Sequence, residues 1–247
     1  MSGHSKWHNI RLKKGKVDAQ RGKLFTKMSK DIYMAVRKGG PEPETNFLLK
    51  VAIQRARAVN MPADNIKRVI EKASGNGEGE NFDEITYEGY GTHGVAIIVE
   101  AATNNRNRTA ADVRSIFSKL GGNLGENGCV GWMFDRRGVL QIPAEGVDED
   151  ELMMAALDAG AVDVSNEGEF FEVLTDPKDL HKVKDGIEAA GYKVDDVNFS
   201  QIPKNTVALN ADQAASVMRI IDSLEDLDDV QNVYSNGDFP EEAMDED

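Results

Sequence analysis

The chain has 247 residues, 40 % of them apolar and 29 % charged, enough for one large domain or two to three small ones and too balanced for extended disorder. Its single cysteine, Cys129, excludes an internal disulfide and fits a reducing, cytoplasmic setting. The longest apolar run, Val95 to Val99, falls far short of the ~20 residues of a membrane span.

The formal net charge of −14 conceals a division: residues 1–77 carry +11 and residues 78–247 carry −25. At cellular salt the screening length is roughly 8 Å, so a ligand meets the local patch and not the total. Charge sorted in this way points to a polyanion partner for the basic part, whereas mixed surface charge would serve only solvation.

Residues 1–22 read as a mobile basic arm, with Lys6, Arg11, Lys13, Lys14, Lys16 and Arg21 among few apolar side chains. The start, MSGHSKWHNIRLKKGK, lacks the apolar segment of a secretory signal. Residues 23–77 predict a three-helix basic domain. Phe25, Met28, Ile32, Ala35 and Val36 share one face of the first helix, which Gly39-Gly40 stops. Leu48, Leu49, Ala52, Ile53, Ala56 and Val59 form the stripe of the second. Ile66, Val69, Ile70 and Ala73 form that of the third, which opens at Pro62 and ends at Gly75. Lys23, Lys27, Lys30, Arg37, Lys38, Lys50, Arg55 and Arg57 fall on the opposite faces of the first two helices.

The linker GNGEGEN (75–81) is the clearest boundary. Beyond it the period changes to that of α+β structure. ITYEGY and VAIIVEA predict two strands around a glycine turn, followed by a helix from about Thr109 to Leu120 and a strand CVGWMF. The run GVLQIP, ELMMAALDAG, VDVSN, EFFEVLT, PKDLHKVKDGIEAAG and YKVDDVNFSQI spells β-α-β-β-α-β, the ferredoxin-like pattern. The last elements, TVALN, DQAASVMRIIDSLEDL and VQNVYSN, are expected to complete a second such set with residues 95–134. The fold class is therefore α+β: a three-helix basic domain followed by two ferredoxin-like domains. A domain of residues 135–204 is inserted into a discontinuous one of residues 82–134 and 205–238, and residues 239–247 form an acidic tail.

Candidate chemistry is thin. Gly89-Tyr90-Gly91-Thr92-His93-Gly94 matches G-x-G-x-x-G, but a dinucleotide site needs a helix after the glycines, and here a strand follows. A hairpin turn is the simpler reading. His4 and His8 have the spacing of H-E-x-x-H without its acid, His93 and His181 have no visible partners, and Cys129 reads as core. Nothing assembles a nucleophile, a base and an oxyanion donor, so no enzymatic activity, cofactor, metal or small-molecule substrate is expected. Phosphate contacts from the basic segment are expected instead. Trp7, between Lys6 and Arg11, either stacks on an unpaired base or anchors the arm. Arg106 and Arg108 stand before a helix N-terminus, which favours anions; Thr109 or Asn107 is the expected cap.

The segments MSGHSKW, RGKLFTK (21–27), NMPADNIKR (60–68), YEGYG (87–91), NRNRT (105–109) and GGNLG (121–125), in this order along essentially the whole chain, resemble the YebC family of gene-expression regulators. The chain departs from that pattern at Thr92, where a proline is usual, and at Asn104, where an aspartate is. The resemblance implies one helical and two α+β domains, and a probable transcriptional regulator that binds DNA. It also implies a tie to translation, through ribosomes stalled on proline-rich sequences and a mitochondrial relative serving synthesis of a cytochrome oxidase subunit. Its nucleic-acid-binding positions correspond to Lys6, Trp7, Arg11, Lys13, Lys14, Arg21, Lys23 and Lys27. The expected partners are thus DNA, or ribosomal RNA, tRNA and the ribosome itself, with no membrane. A mobile basic arm with one aromatic, and no helix-turn-helix spacing, favours irregular RNA. A third possibility is a scaffold whose acidic body docks a basic protein.

Overall fold

The computed structural model describes residues 19–75 and 81–240. Lys6, Trp7, Arg11, Lys13, Lys14 and Lys16, together with linker residues 76–80 and tail residues 241–247, lie outside the described residues, whereas Phe239, expected in the tail, is buried in the core of the first unit. So does the side chain of Arg21. Two compact units are present. The first holds residues 19–75, 81–134 and 203–240, the second residues 135–202.

The first unit begins with helix α1 (Ala19–Gly39), which takes in the end of the segment read as an arm. Met28, Ile32, Ala35 and Val36 are buried along its predicted stripe, Phe25 is partly buried, and Tyr33, outside that stripe, is buried with them. Gly40, at φ 89°, ends it, its amide donating to the Val36 carbonyl. Helix α2 (Phe47–Ala58) is capped by Asn46, whose Oδ1 accepts from the Leu49 amide at 3.1 Å. The same buried side chain donates to the carbonyls of Ala35 and Gly40 at 2.8 Å each. One residue thus satisfies the end of one helix and the start of the next. Helix α3 (Ala63–Ser74) closes the bundle, with Ile66 and Ala73 in the shared core.

Strands β1 (Asp83–Tyr90) and β2 (Ala96–Thr103) form an antiparallel hairpin. Its turn is the glycine-rich segment: the Gly91 amide donates to the Val95 carbonyl at 2.8 Å, and His93 and Gly94 adopt positive φ. No helix opens after those glycines, so no amides are aimed at a phosphate. Helix α4 (Arg106–Lys119), strand β3 (Asn123–Leu124), helix α7 (Ala211–Glu225) and strand β9 (Val230–Ser235) complete this layer. The sheet order is β3-β1-β2-β9. Val113, Phe117, Val217, Ile220 and Leu224 from the two helices bury one face against Val95, Ile97 and Val99. Residues of the 129–134 segment cover Ala96, Ile98 and Tyr234 on the other.

This sheet differs from the expected pattern in two ways. CVGWMF is not one of its strands: residues 129–133 form a loop with one short 3-10 turn, and the strand starts only at Phe134. The amides of Gly128, Val130 and Gly131 all donate to the carboxylate of Glu88, far back in the chain, and so are lost to a ladder. TVALN yields only the two-residue strand β8 (Val207–Ala208), paired in parallel with β10 (Gly237–Asp238) outside the main sheet. The N-terminal strand β1 occupies the position that the pattern assigned elsewhere.

Two glycines allow β3 to approach β1. A Cβ at Gly89 would stand 2.6 Å from the Asn123 carbonyl oxygen, and one at Gly122 would stand 2.7 Å from that of Tyr90. Both obstacles are backbone. Gly89→Ala is expected to lower stability by about 1–3 kcal/mol in denaturant unfolding. An unchanged midpoint would mean that β3 can detach without cost.

The second unit follows the predicted pattern: β4 (Phe134–Pro143, entering from the first unit), α5 (Glu149–Ala159), β5 (Asp163–Asn166), β6 (Phe170–Thr175), α6 (Leu180–Ala189) and β7 (Asp196–Pro203). The sheet order β5-β6-β4-β7 is ferredoxin-like. Asp148 caps α5 and Gly160, at φ 105°, ends it. Leu140, Ile142, Leu152, Val173, Leu180 and Ile187 form its core.

Candidate nucleic-acid interface

The basic side chains of the bundle divide into two groups. Lys23, Lys27 and Lys30, spaced to share one face of α1, point at the end of α7 and the turn that follows. Lys27 Nζ donates to the Glu225 carbonyl at 2.7 Å and Lys23 Nζ to the Asp226 carbonyl at 3.2 Å. Lys23 and Lys27 thus meet the negative end of a helix dipole. Lys30 is buried. Its ammonium donates to Asp229 Oδ1 and to the Asp228 carbonyl, at 2.8 Å in both cases.

Asp229 is the hub of this contact. Its second oxygen accepts from Arg108 at 2.7 Å, Thr109 at 2.8 Å and Thr103 at 3.1 Å. Burial alone would raise its pKa. The hydrogen bonds from Lys30, Arg108 and Thr109 outweigh that and hold it well below the usual carboxylate range. Lys38 pairs with Glu84 at 2.6 Å, Arg106 with Asp83 at 2.8 Å, and Arg55 with Asp31 at 3.7 Å. Asp31 moves the other way: burial raises its carboxyl more than Arg55 and Lys27 lower it.

The sequence reading had assigned Lys23, Lys27, Lys30, Lys38, Arg55, Arg106 and Arg108 to a polyanion. The structure engages each of them within the unit: Lys23, Lys27, Lys30 and Lys38 tie the bundle to the acidic sheet layer, Arg55 pairs inside the bundle, and Arg106 and Arg108 pair inside the sheet layer. A groove of about 770 Å³ runs along this seam. Lys23, Lys30, Lys72 and Arg108 line it opposite Asp112, Asp226, Asp228 and Asp229, so its charges balance and it is no anion trap. Tyr33 and Phe82 meet edge-on at its base, with Lys30 Nζ 5.4 Å from the Phe82 ring.

The second group faces solvent. Arg37, Lys50 and Arg57 are exposed and carry no acidic partner among the described residues. Gln54, exposed on α2, is the other side chain of that helix able to read a base edge. The α4 cap is Asn105, whose side chain accepts from the Arg108 amide at 3.1 Å; Thr109 and Asn107 do not fill that role.

A further feature escaped the sequence reading. Glu88, nearly buried, accepts from the amides of Gly128 at 2.9 Å, Val130 at 2.9 Å and Gly131 at 2.6 Å. Burial raises its carboxyl, but the three amides prevail and leave it below the ordinary value. Two places after the last of them stands Met133, and between them Trp132, 65 % exposed. Cys129, half-buried in the same loop, has its thiol pushed up by burial and by Glu88, the reverse of an activated nucleophile. His181 binds Asp185 one turn along α6, at 2.9 Å. Among the described residues no three His, Cys, Asp or Glu side chains stand together as metal ligands, and no helix is long and apolar enough to cross a membrane.

The first unit is thus a basic three-helix bundle seated on a mixed α+β scaffold. Known proteins share this plan. Residues 5–76 match the TACO1/YebC protein N-terminal domain, and residues 82–237 match the TACO1/YebC second and third domain. The chain belongs to the TACO1/YebC family. A probable transcriptional regulatory protein of Clostridium tetani is 52 % identical over 243 residues, covering 98 % of this chain and 99 % of that one. One from Acetivibrio thermocellus is 52 % identical over 238 residues, 96 % and 98 % of the two chains. The crystal structure of a conserved hypothetical protein from Aquifex aeolicus superposes with a TM-score of 0.83 at 45 % identity, covering 92 % of this chain and 93 % of that one.

Proposed function

We propose that this protein is a cytoplasmic, non-enzymatic regulator of gene expression that binds nucleic acid through its N-terminal basic arm and the exposed cations of the bundle. The observation that carries the reading is the sorting of charge. Residues 1–77 hold +11, and after the seam has engaged its lysines, Arg37, Lys50 and Arg57 still face solvent. The relatives' shared name, probable transcriptional regulatory protein, supports a regulatory role and makes DNA the first target to test.

A second reading, a ribosome- or RNA-bound translation factor acting at stalled ribosomes, is favoured by one observation. Arg55 is held by Asp31, so α2 offers only Lys50, Gln54 and Arg57 to a major groove, few side chains for reading sequence. Phosphate contacts and stacking on irregular RNA ask less of that helix.

Ribosome co-sedimentation set against gel shift on promoter and random DNA, with and without residues 1–22, separates the two. Saturable ribosome binding lost on truncation selects translation; tight, sequence-dependent DNA binding without ribosome association selects transcription. If residues 1–77 can be removed with the activity intact, the acidic scaffold replaces both. On the bound nucleic acid, Lys50→Glu with Arg57→Glu is expected to weaken affinity uniformly across sequences and reduce the salt slope by about 2, with the melting temperature unchanged. An unaltered slope would remove this face from the interface.

A further inference from the structure

The loop of residues 125–133 presents a large aromatic ring on an unusually well-fixed base. Three amides of the loop converge on one carboxylate, that of Glu88. A side chain at Gly131 would place its Cβ 3.2 Å from both Glu88 oxygens, so the residue before Trp132 is kept small by the same clamp. Val130 and Phe134, on either side, are buried in the core beneath the sheet. The indole cannot follow them. Its Nε1 donates back to the Cys129 carbonyl at 3.2 Å, which satisfies its polar atom within the loop and orients the ring while leaving it 65 % exposed. Lys204 is exposed, and its ammonium donates to the Trp132 carbonyl at 2.9 Å, placing a positive charge at the base of the ring.

Burying this ring would have gained hydrophobic free energy, and the loop holds it out instead. Its surroundings indicate what meets it. Besides Trp132, the exposed residues of the loop are Gly125, Glu126, Asn127 and Gly128, and the other exposed large apolar side chain described in this unit, Leu48, lies on α2. A protein interface places its aromatic anchors within a contiguous desolvated patch, which is missing here. A single flat ring with a cation at its foot has the form of a stacking platform.

We propose that Trp132 is the stacking site for one unpaired base of a single-stranded nucleic acid, with Lys204 contacting the adjoining phosphate. The proposal rests on the nucleic-acid reading given above and adds a site remote in sequence from the basic arm. Glu126 is the one charge of the loop that opposes it.

The chain has two tryptophans, so Trp7→Phe in the full-length protein leaves Trp132 as the sole indole reporter. Short oligouridine and oligodeoxythymidine are expected to quench its emission, and a duplex of the same length is not. Trp132→Ala, at an exposed position, is expected to keep the fold by circular dichroism. It should weaken single-strand binding roughly 5- to 150-fold and leave duplex binding unchanged. Trp132→Phe should recover part of the loss. Binding by gel shift with no quenching and no effect of Trp132→Ala overturns the platform and leaves the nucleic-acid reading standing. Absence of binding to any nucleic acid overturns that reading and the platform with it. Emission that responds only to ribosomal protein stripped of RNA overturns the platform in favour of a protein contact.

Discussion

Asp229→Ala is expected to cost about 3–5 kcal/mol of stability, the range for breaking a buried ion pair by removing one member. The carboxylate accepts from Lys30, Arg108, Thr109 and Thr103, and Lys30 is almost wholly enclosed. Without Asp229 its ammonium would keep only the Asp228 carbonyl. The double variant Asp229→Ala, Lys30→Met should recover much of the loss, because it removes the stranded charge as well as the pair. Denaturant unfolding measures both, and hydrogen exchange along α1 shows whether the bundle has lost its seat. The pH dependence has a defined sign. A carboxylate whose folded pKa lies below its unfolded value of about 3.9 contributes stability above that pH and loses it as pH falls towards the folded value. Asp229 and Glu88 are both of this kind. Asp31, shifted upward, acts in the opposite direction. Stability should therefore decline below about pH 4, and Asp229→Asn should flatten that decline. A single variant no less stable than the parent would show that the bundle is held by its apolar contacts alone.

The parts of the fold that were legible in the sequence are those with an uninterrupted period. The stripe Met28, Ile32, Ala35, Val36 gives α1, and the alternation from GVLQIP to NFSQI gives the whole second unit with strands and helices in order. What could not be read depends on groups far apart in the chain. The first sheet draws its edge from a two-residue β3, too short to show alternation, and loses CVGWMF because Glu88, some forty residues earlier, takes its amides. The partners of the basic face could not be read for the same reason. Lys23, Lys27 and Lys30 are an obvious basic face, but nothing local marks the Glu225–Asp229 turn as its partner roughly 200 residues on. A lysine that binds phosphate and one that seats a domain look alike until the acid is placed. Charge totals by segment survive this problem, which is why the division between residues 1–77 and the remainder remains informative when individual lysines do not.

Glu88→Ala tests the loop that carries Trp132. The substitution removes the acceptor of three amides in or near the core, and an unmade buried bond costs about 1–3 kcal/mol. Water can reach the partly exposed amides of Gly128 and Gly131, so the expected loss is about 2–4 kcal/mol and not the full sum. Glu88→Gln should fall between the parent and Ala, since an amide keeps one acceptor oxygen but turns a second donor towards groups that themselves donate. The structural effect should be confined to the loop. Val130 and Phe134 remain anchored in the apolar layer beneath the sheet, whereas Trp132, released from its clamp, should lose emission anisotropy in the Trp7→Phe background. Single-strand binding should then weaken even though the indole is still present, because a ring that must be ordered on binding forfeits part of its stacking energy. A Glu88→Ala protein with unchanged stability and a Trp132 signal as rigid as the parent's would show that the apolar layer alone fixes the loop, and that the three amide bonds do not position the ring.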